Sequence, residues 1–342
     1  MKIIQVIDTL NVGGAEKIFV NMSNILFENQ QEISVLLLLE GGVLKPELNS
    51  KIKLYELSRT NKWSIKKMQE CSKIVQSFDI IHCHFRHVYR YISLVKLLFP
   101  FKGKVVLQDH YGSIEVNKKV PFLFASVFKP AYYIGVSKTL TDWAENSLSV
   151  SAKNVFLLEN IIIKNNVKTP HIKHYDLILV SNIKPIKNNF FAIQLAQKMN
   201  KRLVLIGQNQ DSSYFDTIRL SFTDNIEINV TISNAQSVMH WADFGLHTSI
   251  SETGPLVLIE YIAKQLPFLA YETGEVAKTL KKYFPLYFID NFDLAQWQER
   301  IEKIKENPLD YAKFEHVFEI EFGQTKYYQK LKAIYLCIQI NA

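Results

Sequence analysis

The sequence predicts an α/β protein built from two parallel, doubly wound domains in tandem. Three observations predict it. The chain has 342 residues, more than one hydrophobic core usually serves. Short β-branched runs alternate with helix-like stretches from the first residues onward, the rhythm of strand, crossover helix and strand. That rhythm lapses once, over the polar and irregular ENIIIKNNVKTPHIKHYD near 160–176, and then resumes.

The elements follow in order. IIQVI (3–7) reads as a strand, Ala15–Glu28 as a helix, ISVLLLL (33–39) as a strand and 64–77 as a helix. DIIHCHF (79–85), KVVLQDH (104–110) and YYIGVS (132–137) are further strands. The polar stretch is expected to be a linker, dividing residues 1–165 from 174–324. Beyond it come DLILVSN (176–182), a helix over about 189–199, RLVLIG (202–207), IEINV (226–230), FGLHTS (244–249) and PFLAY (267–271). Two Rossmann-like domains fit this better than one long sheet. Residues 310–342 read as helical, with YYQKLKAIYLCIQI suited to packing across both domains.

Composition is ordinary for a folded chain, 48% hydrophobic and 21% charged, which argues against disorder. No apolar run reaches the roughly 20 residues that span a bilayer, and MKIIQVIDTL enters a strand pattern directly instead of a signal peptide. A cytoplasmic protein is expected. The three cysteines, Cys71, Cys83 and Cys337, make neither a disulfide framework nor a zinc set. Net charge is +7, and residues 1–165 hold 21 Lys and Arg against 14 Asp and Glu, while 166–342 hold 19 of each. Within the basic half, 89–104 and 118–133 interleave bases with Phe, Tyr and Leu. That composition suits an anionic membrane surface at the inner face of the cytoplasmic membrane, or else amphipathic core helices with solvated lysines. Nucleic acid is not expected, because no recognition motif accompanies the charge.

Several constellations can carry chemistry. In NVGGAEKIF, Gly13 and Gly14 sit between a strand and a helix, where backbone amides and the positive helix end can meet an anion. G-x-G-x-x-G is absent, and Glu16 can equally serve the helix dipole. His82 and His84 lie two apart on a strand and face one side, but no third metal ligand stands at a suitable spacing. They are expected to border the cleft or pack at the strand end. Asp109 and His110 end a strand, where ligands bind in parallel sheets, and His110 can orient a hydroxyl or exchange a proton. Lys184 and Lys187 flank Pro185 before a helix, a clamp for a diphosphate or two solvated lysines.

The most informative stretch is SISETGPLVLIEYIAKQLP (249–267). Glu252 follows a polar turn, Thr253, Gly254 and Pro255 read as a helix start, and Glu260 sits inside a helix apolar on every side. A buried carboxylate needs a partner. The rise of ~1.5 Å per residue separates the two carboxylates by on the order of 10 Å. That is wider than the ~5–9.5 Å of a glycosidase pair, and it matches two ends of one long ligand. A nucleotide sugar has hydroxyls at both ends and a diphosphate between them for the lysines and for the amides of Thr253–Leu256.

These residues resemble the retaining glycosyltransferases of family 4, whose two-domain fold is called GT-B. ETGPLVLIE is similar to that family's E-x7-E signature, usually E-G-F-G-x-x-x-x-E, and YIAKQLPFLAYETGE resembles its continuation. GGAE, DIIHCH, the Asp109–His110 strand end and GVSK (135–138) fall in the family's order, so the resemblance covers nearly the whole chain. It implies two Rossmann-like domains facing across a cleft, with a C-terminal helix, about 325–342, crossing back to the N-terminal one. It implies that Glu252 contacts the transferred sugar and Glu260 the ribose. Gly14 and the amides of Glu252, Thr253, Gly254, Pro255 and Leu256 would meet the donor, Lys187 the diphosphate, and His110 the reacting carbon. Acceptor residues are not indicated. Ser181–Asn182 replaces the family's Gly-Arg, leaving Lys184 as the substitute; ENIII keeps only Asn160 of N-G-x-D; TGP replaces GFG.

The resemblance implies transfer of a sugar from a nucleotide sugar, UDP-linked, to a glycan acceptor, lipid-linked, with retention by a front-face route and without a cofactor. The N-terminal domain would hold the acceptor and the C-terminal domain the donor. No D-x-D metal motif is present, Asp290 and Asp293 being wrongly spaced. Lys184, Lys187 and a helix N-terminus would neutralise the departing diphosphate instead. A nucleotide-sugar epimerase on the same frame and a non-catalytic nucleotide-sugar binder are the alternatives.

Overall fold

The computed structural model describes residues 1–340 except Ser113, Glu115, Val116, Pro121, Ile172, Thr231 and Ser233. Ser113, three residues past the Asp109–His110 strand end, Pro121 of the second basic stretch and Ile172 of the expected linker thus lie outside the described residues. The chain forms two compact units, Met1–Ile161 with Gln324–Ala342, and Ile162–Gly323.

The first unit runs β1 (Lys2–Ile7), α1 (Gly14–Glu28), β2 (Glu32–Leu37), β3 (Lys53–Glu56), α2 (Ile65–Val75), β4 (Ile80–His84), α3 (Arg86–Leu98), β5 (Lys104–Asp109), α4 (Phe122–Ala125), β6 (Tyr132–Gly135), α5 (Lys138–Asn146) and β7 (Val155–Leu157). The strands lie in the order β3-β2-β1-β4-β5-β6-β7, every pairing parallel. β1 and β2 each bury five consecutive residues, as strands covered on both faces do. Serine caps start two helices: Ser64 accepts from the Lys67 amide at 3.4 Å and Ser137 from the Leu140 amide at 3.3 Å. The first basic stretch is largely α3, which buries Val88, Tyr89, Tyr91, Ile92 and Val95. The second, 118–133, is no core helix. Among its described residues the one helix is the four-residue α4, before β6 begins at Tyr132; α4 buries Phe124 while Phe122 and Leu123 are 82% and 54% exposed, with Val127 beyond it 63% exposed.

The second unit runs β8 (Tyr175–Val180), α6 (Asn189–Lys198), β9 (Leu203–Ile206), α7 (Ser212–Arg219), β10 (Ile226–Asn229), β11 (Ala242–His247), α8 (Leu256–Ala263), β12 (Phe268–Tyr271), α9 (Gly274–Lys281), β13 (Phe288–Ile289), α10 (Leu294–Glu306) and α11 (Tyr311–Phe322). Its sheet, β10-β9-β8-β11-β12-β13, is again parallel throughout. Separate apolar clusters pack against it, one built on Tyr261, Phe268 and Phe314, the other on Phe191, Phe244 and Trp297.

The polar stretch expected as a linker is fastened to this unit. Asn165 donates its amide to Gln236 at 3.1 Å, Gln236 donates to the Ile163 carbonyl at 2.9 Å, and Trp241 donates to the Thr169 carbonyl at 2.8 Å. The last helix, α12 (Gln324–Ile340), belongs to the first unit. There the Tyr335 hydroxyl meets His82 Nδ1 at 2.7 Å and Lys104 donates to the Ile338 carbonyl at 2.6 Å. No helix among the described residues is long and apolar enough to cross a membrane.

Candidate functional site

In each sheet the strand order reverses once, between β1 and β4 in the first unit and between β8 and β11 in the second. Ligands of open parallel sheets bind beyond the carboxyl ends of the strands flanking such a reversal. In the second unit those ends lead into residues 181–188 and 248–255, the two segments that carry Lys184, Lys187 and Glu252.

The two segments are tied together. Thr248 donates its hydroxyl to the Lys187 carbonyl at 2.9 Å, and the Ile250 amide donates to the Ile186 carbonyl at 2.9 Å. Across this tie Lys187 forms an ion pair with Glu252. Burial alone would raise the Glu252 carboxyl, but Lys187 and His247 outweigh it and hold it down at about 2. His247 Nε2, at the end of β11, is 3.9 Å from Glu252 Oε1, a Coulombic and not a hydrogen-bonding distance. Burial and the Lys187 charge lower the pKa of Lys184. Ser181 and Asn182 stay within the loop: Asn189 donates to Ser181 Oγ at 2.9 Å and Asn182 accepts from the Gln208 amide at 3.2 Å.

A third segment holds the carboxylate loop. The Thr273 hydroxyl accepts from the Glu252 amide at 3.1 Å, and the Glu275 amide donates to the Thr253 carbonyl at 2.9 Å. Between them Gly274 has φ +80°, and a Cβ there would stand 2.9 Å from both the Glu252 carbonyl oxygen and Pro255 Cδ. Only glycine fits this turn. α8 begins at Leu256, with Pro255 at its cap (ψ 108°) instead of inside the first turn. Of the amides assigned to the donor, that of Glu252 is therefore engaged by Thr273, and Pro255 has none. Glu260, 8% exposed, lies between the buried Ile259 and Tyr261. Its charge reaches Tyr261, whose phenol burial chiefly raises, and Lys264, whose ammonium burial chiefly lowers.

In the first unit His110 follows β5. Asp109 beside it is consumed by structure: Arg86 donates to it through Nε at 2.7 Å, the Tyr133 hydroxyl donates at 2.7 Å, and the Tyr111 amide donates to its other oxygen at 3.1 Å. Arg86 also lies over the Trp143 ring at 4.2 Å. Burial holds His110 at about 4, so it is neutral near pH 7. Phe85, between His84 and Arg86, has φ +76°, a conformation costly for a bulky residue. Gly14 opens α1 and is exposed, and the Glu16 carboxylate occupies the space where a Cβ on Gly13 would lie, 2.1 Å away. Among the described residues no group of three His, Cys, Asp or Glu side chains could hold a metal ion.

The structure thus brings Lys184, Lys187 and Glu252 together at the ends of two neighbouring strands, with Glu260 on the helix that follows. Gly14 and His110 stand at the corresponding edge of the other sheet. Four residues that position this machinery went unread in the sequence: His247, Thr273, Gly274 and Arg86. The E-T-G of 272–274 was the available signal for two of them; Arg86 and His247 carry none.

Residues 162–317 match the family described as Glycosyl transferases group 1. The match lies within the second unit. No curated protein sequence matches the chain. Among solved structures, Anabaena HepE in complex with UDP is 13% identical, with a TM-score of 0.77 over 97% of this chain and 99% of that one. A glycosyltransferase from Rickettsia africae is 15% identical, with a TM-score of 0.75 over 98% of each chain. Sucrose-phosphate synthase from Thermosynechococcus elongatus is 12% identical, with a TM-score of 0.73 over 100% of both. The fold is that of the GT-B glycosyltransferases, two parallel Rossmann-like domains with a C-terminal helix returning to the first.

Proposed function

We propose that the protein is a retaining glycosyltransferase of family 4 that moves a hexosyl or N-acetylhexosaminyl group from a UDP-sugar to a lipid-linked glycan acceptor in the synthesis of a bacterial surface polysaccharide or glycoconjugate. The observation that carries this reading is the Lys187–Glu252 ion pair at the strand reversal of a glycosyltransferase group 1 domain. The UDP found in the Anabaena neighbour supports the choice of nucleotide.

The chemistry follows from charge. Cleaving the anomeric C–O bond leaves a nucleoside diphosphate with added negative charge and a sugar with oxocarbenium character. Lys187 has three N–H donors, so it can hold Glu252 and a phosphate oxygen together, and Lys184 adds a second cation. Charges fixed before reaction stabilise the leaving group without a divalent ion. Glu252, kept ionised, accepts hydrogen bonds from sugar hydroxyls, and its pairing with Lys187 makes it a poor nucleophile, which favours a front-face route. Glu260 accepts from the ribose hydroxyls. His110 and Gly14 serve the sugar and phosphate from the first unit, which also holds the acceptor. The exposed Phe122, Leu123 and Val127, flanked by Lys118, Lys119 and Lys129, touch an anionic bilayer at the inner face of the cytoplasmic membrane.

Thermal-shift measurement with a panel of nucleotide sugars, with and without magnesium, followed by NMR of the anomeric configuration in the product, tests this. Stabilisation by a UDP-sugar without metal, lost in Glu260→Ala, and an unchanged anomeric configuration are expected. Strict metal dependence, or an inverted product, would refute it.

A further inference from the structure

Three imidazoles occupy one face of the first sheet: His82 and His84 on β4, and His110 just past β5. His84 Nδ1 stands 3.1 Å from His110 Nε2, with the two rings within 14° of parallel. His84 is fully buried. His82 stacks on it at 4.7 Å, and Phe19 meets it edge to face at 4.9 Å. Burial and the neighbouring histidines hold His84 far below the ordinary histidine range, and burial holds His110 at about 4. Both rings are therefore neutral near pH 7, and a single proton lies between the facing nitrogens.

The other end of His84 decides which ring supplies that proton. Its Nε2 is buried and has no hydrogen-bond partner among the described residues. Were Nδ1 the acceptor, Nε2 would carry the hydrogen and become an orphaned buried donor, which costs about 1–3 kcal/mol and is rare in folded proteins. The aromatic contact with Phe19 is only a weak substitute. With the hydrogen on Nδ1, the buried end is a bare ring nitrogen, the milder of the two situations, and His84 donates to His110 Nε2.

We propose that His84 is a positioning residue that sets the tautomer of His110. By filling Nε2 of His110 as acceptor it obliges that ring to carry its hydrogen on Nδ1. His110 then meets a ligand at the carboxyl end of β5 as a hydrogen-bond donor, suited to a sugar oxygen, and not as a base. The catalytic consequence rests on the reading of His110 given above; the tautomer does not.

The test is long-range 1H–15N correlation on the full chain labelled in histidine, between about pH 6 and 8. Wild type is expected to show His110 protonated on Nδ1 and bare on Nε2. His84→Leu removes the donor and should abolish that preference. His84→Asn places an amide nitrogen where Nδ1 stood and should retain it. In turnover of a UDP-sugar, His84→Leu should lower kcat about tenfold, the worth of about one hydrogen bond, with the donor KM within about threefold, and His84→Asn should recover most of the loss. A proton on His110 Nε2 in wild type, or an unchanged tautomer in His84→Leu, overturns the proposal. If His84→Leu does not fold, the wild-type and His84→Asn spectra decide. The expected tautomers in a protein that turns over no nucleotide sugar would uphold this inference and overturn the enzymatic reading.

Discussion

Replacing Lys187 with Met tests the central ion pair through stability, with no ligand required. Glu252 is held at about 2 against its ordinary 4.5, a difference worth roughly 3 kcal/mol. The two side chains are 17% and 18% exposed, so water recovers part of this and about 2 kcal/mol is expected from losing Lys187 at pH 7. The sign follows from the direction. A carboxylate whose folded pKa is depressed contributes fully above about pH 4.5, and the contribution fades as pH falls toward 2. The difference between wild type and Lys187→Met, read from equilibrium urea unfolding, should therefore shrink by roughly half between about pH 7 and 3. An equal difference at both pH values would mean that Lys187 acts through packing of its stem, and the electrostatic account would fail.

Three further outcomes are expected. Gly274→Ala forces a side chain into φ +80° and against the Glu252 loop; it should cost about 1–3 kcal/mol and lower kcat more than donor affinity, checked by unfolding and steady-state kinetics. Arg86→Met leaves Asp109, whose side chain is 2% exposed, charged and buried without its cation, and should destabilise by about 3–5 kcal/mol in the same unfolding assay. Binding to anionic liposomes should weaken with added salt and in Phe122→Ser/Leu123→Ser; co-sedimentation that ignores both changes would remove the membrane contact.

Much of the framework was legible because hydrophobic pattern is local. β1, β2, β4, β5, β8, β9, β10, β11 and β12 each lie within about two residues of a run read from alternation and β-branching. β3 and β7 were not read, since KLYE and VFL are half-buried edge strands of four and three residues, too short for a pattern to show. The stretch 118–133 misled for a related reason. Its apolar residues divide: Phe124 and Tyr133 are buried, Val120 and Phe128 pack partly against the core, and Phe122, Leu123 and Val127 stay exposed.

For the candidate site, the chain alone determined which charged groups stand out from their surroundings. Lys184, Lys187, Glu252 and Glu260 stand out because charge at a strand-to-helix junction, or inside an apolar helix, is costly unless something compensates it. Tertiary structure decided how those charges are compensated. Residues 65 positions apart, Lys187 and Glu252, become partners because two parallel strands end side by side. Thr273 takes the Glu252 amide from a third segment. His84 reaches His110 only because β4 and β5 are neighbours in register. Pattern along a chain reports the environment each residue requires. The pairing of distant residues depends on the order in which strands join a sheet, which no local run of residues encodes.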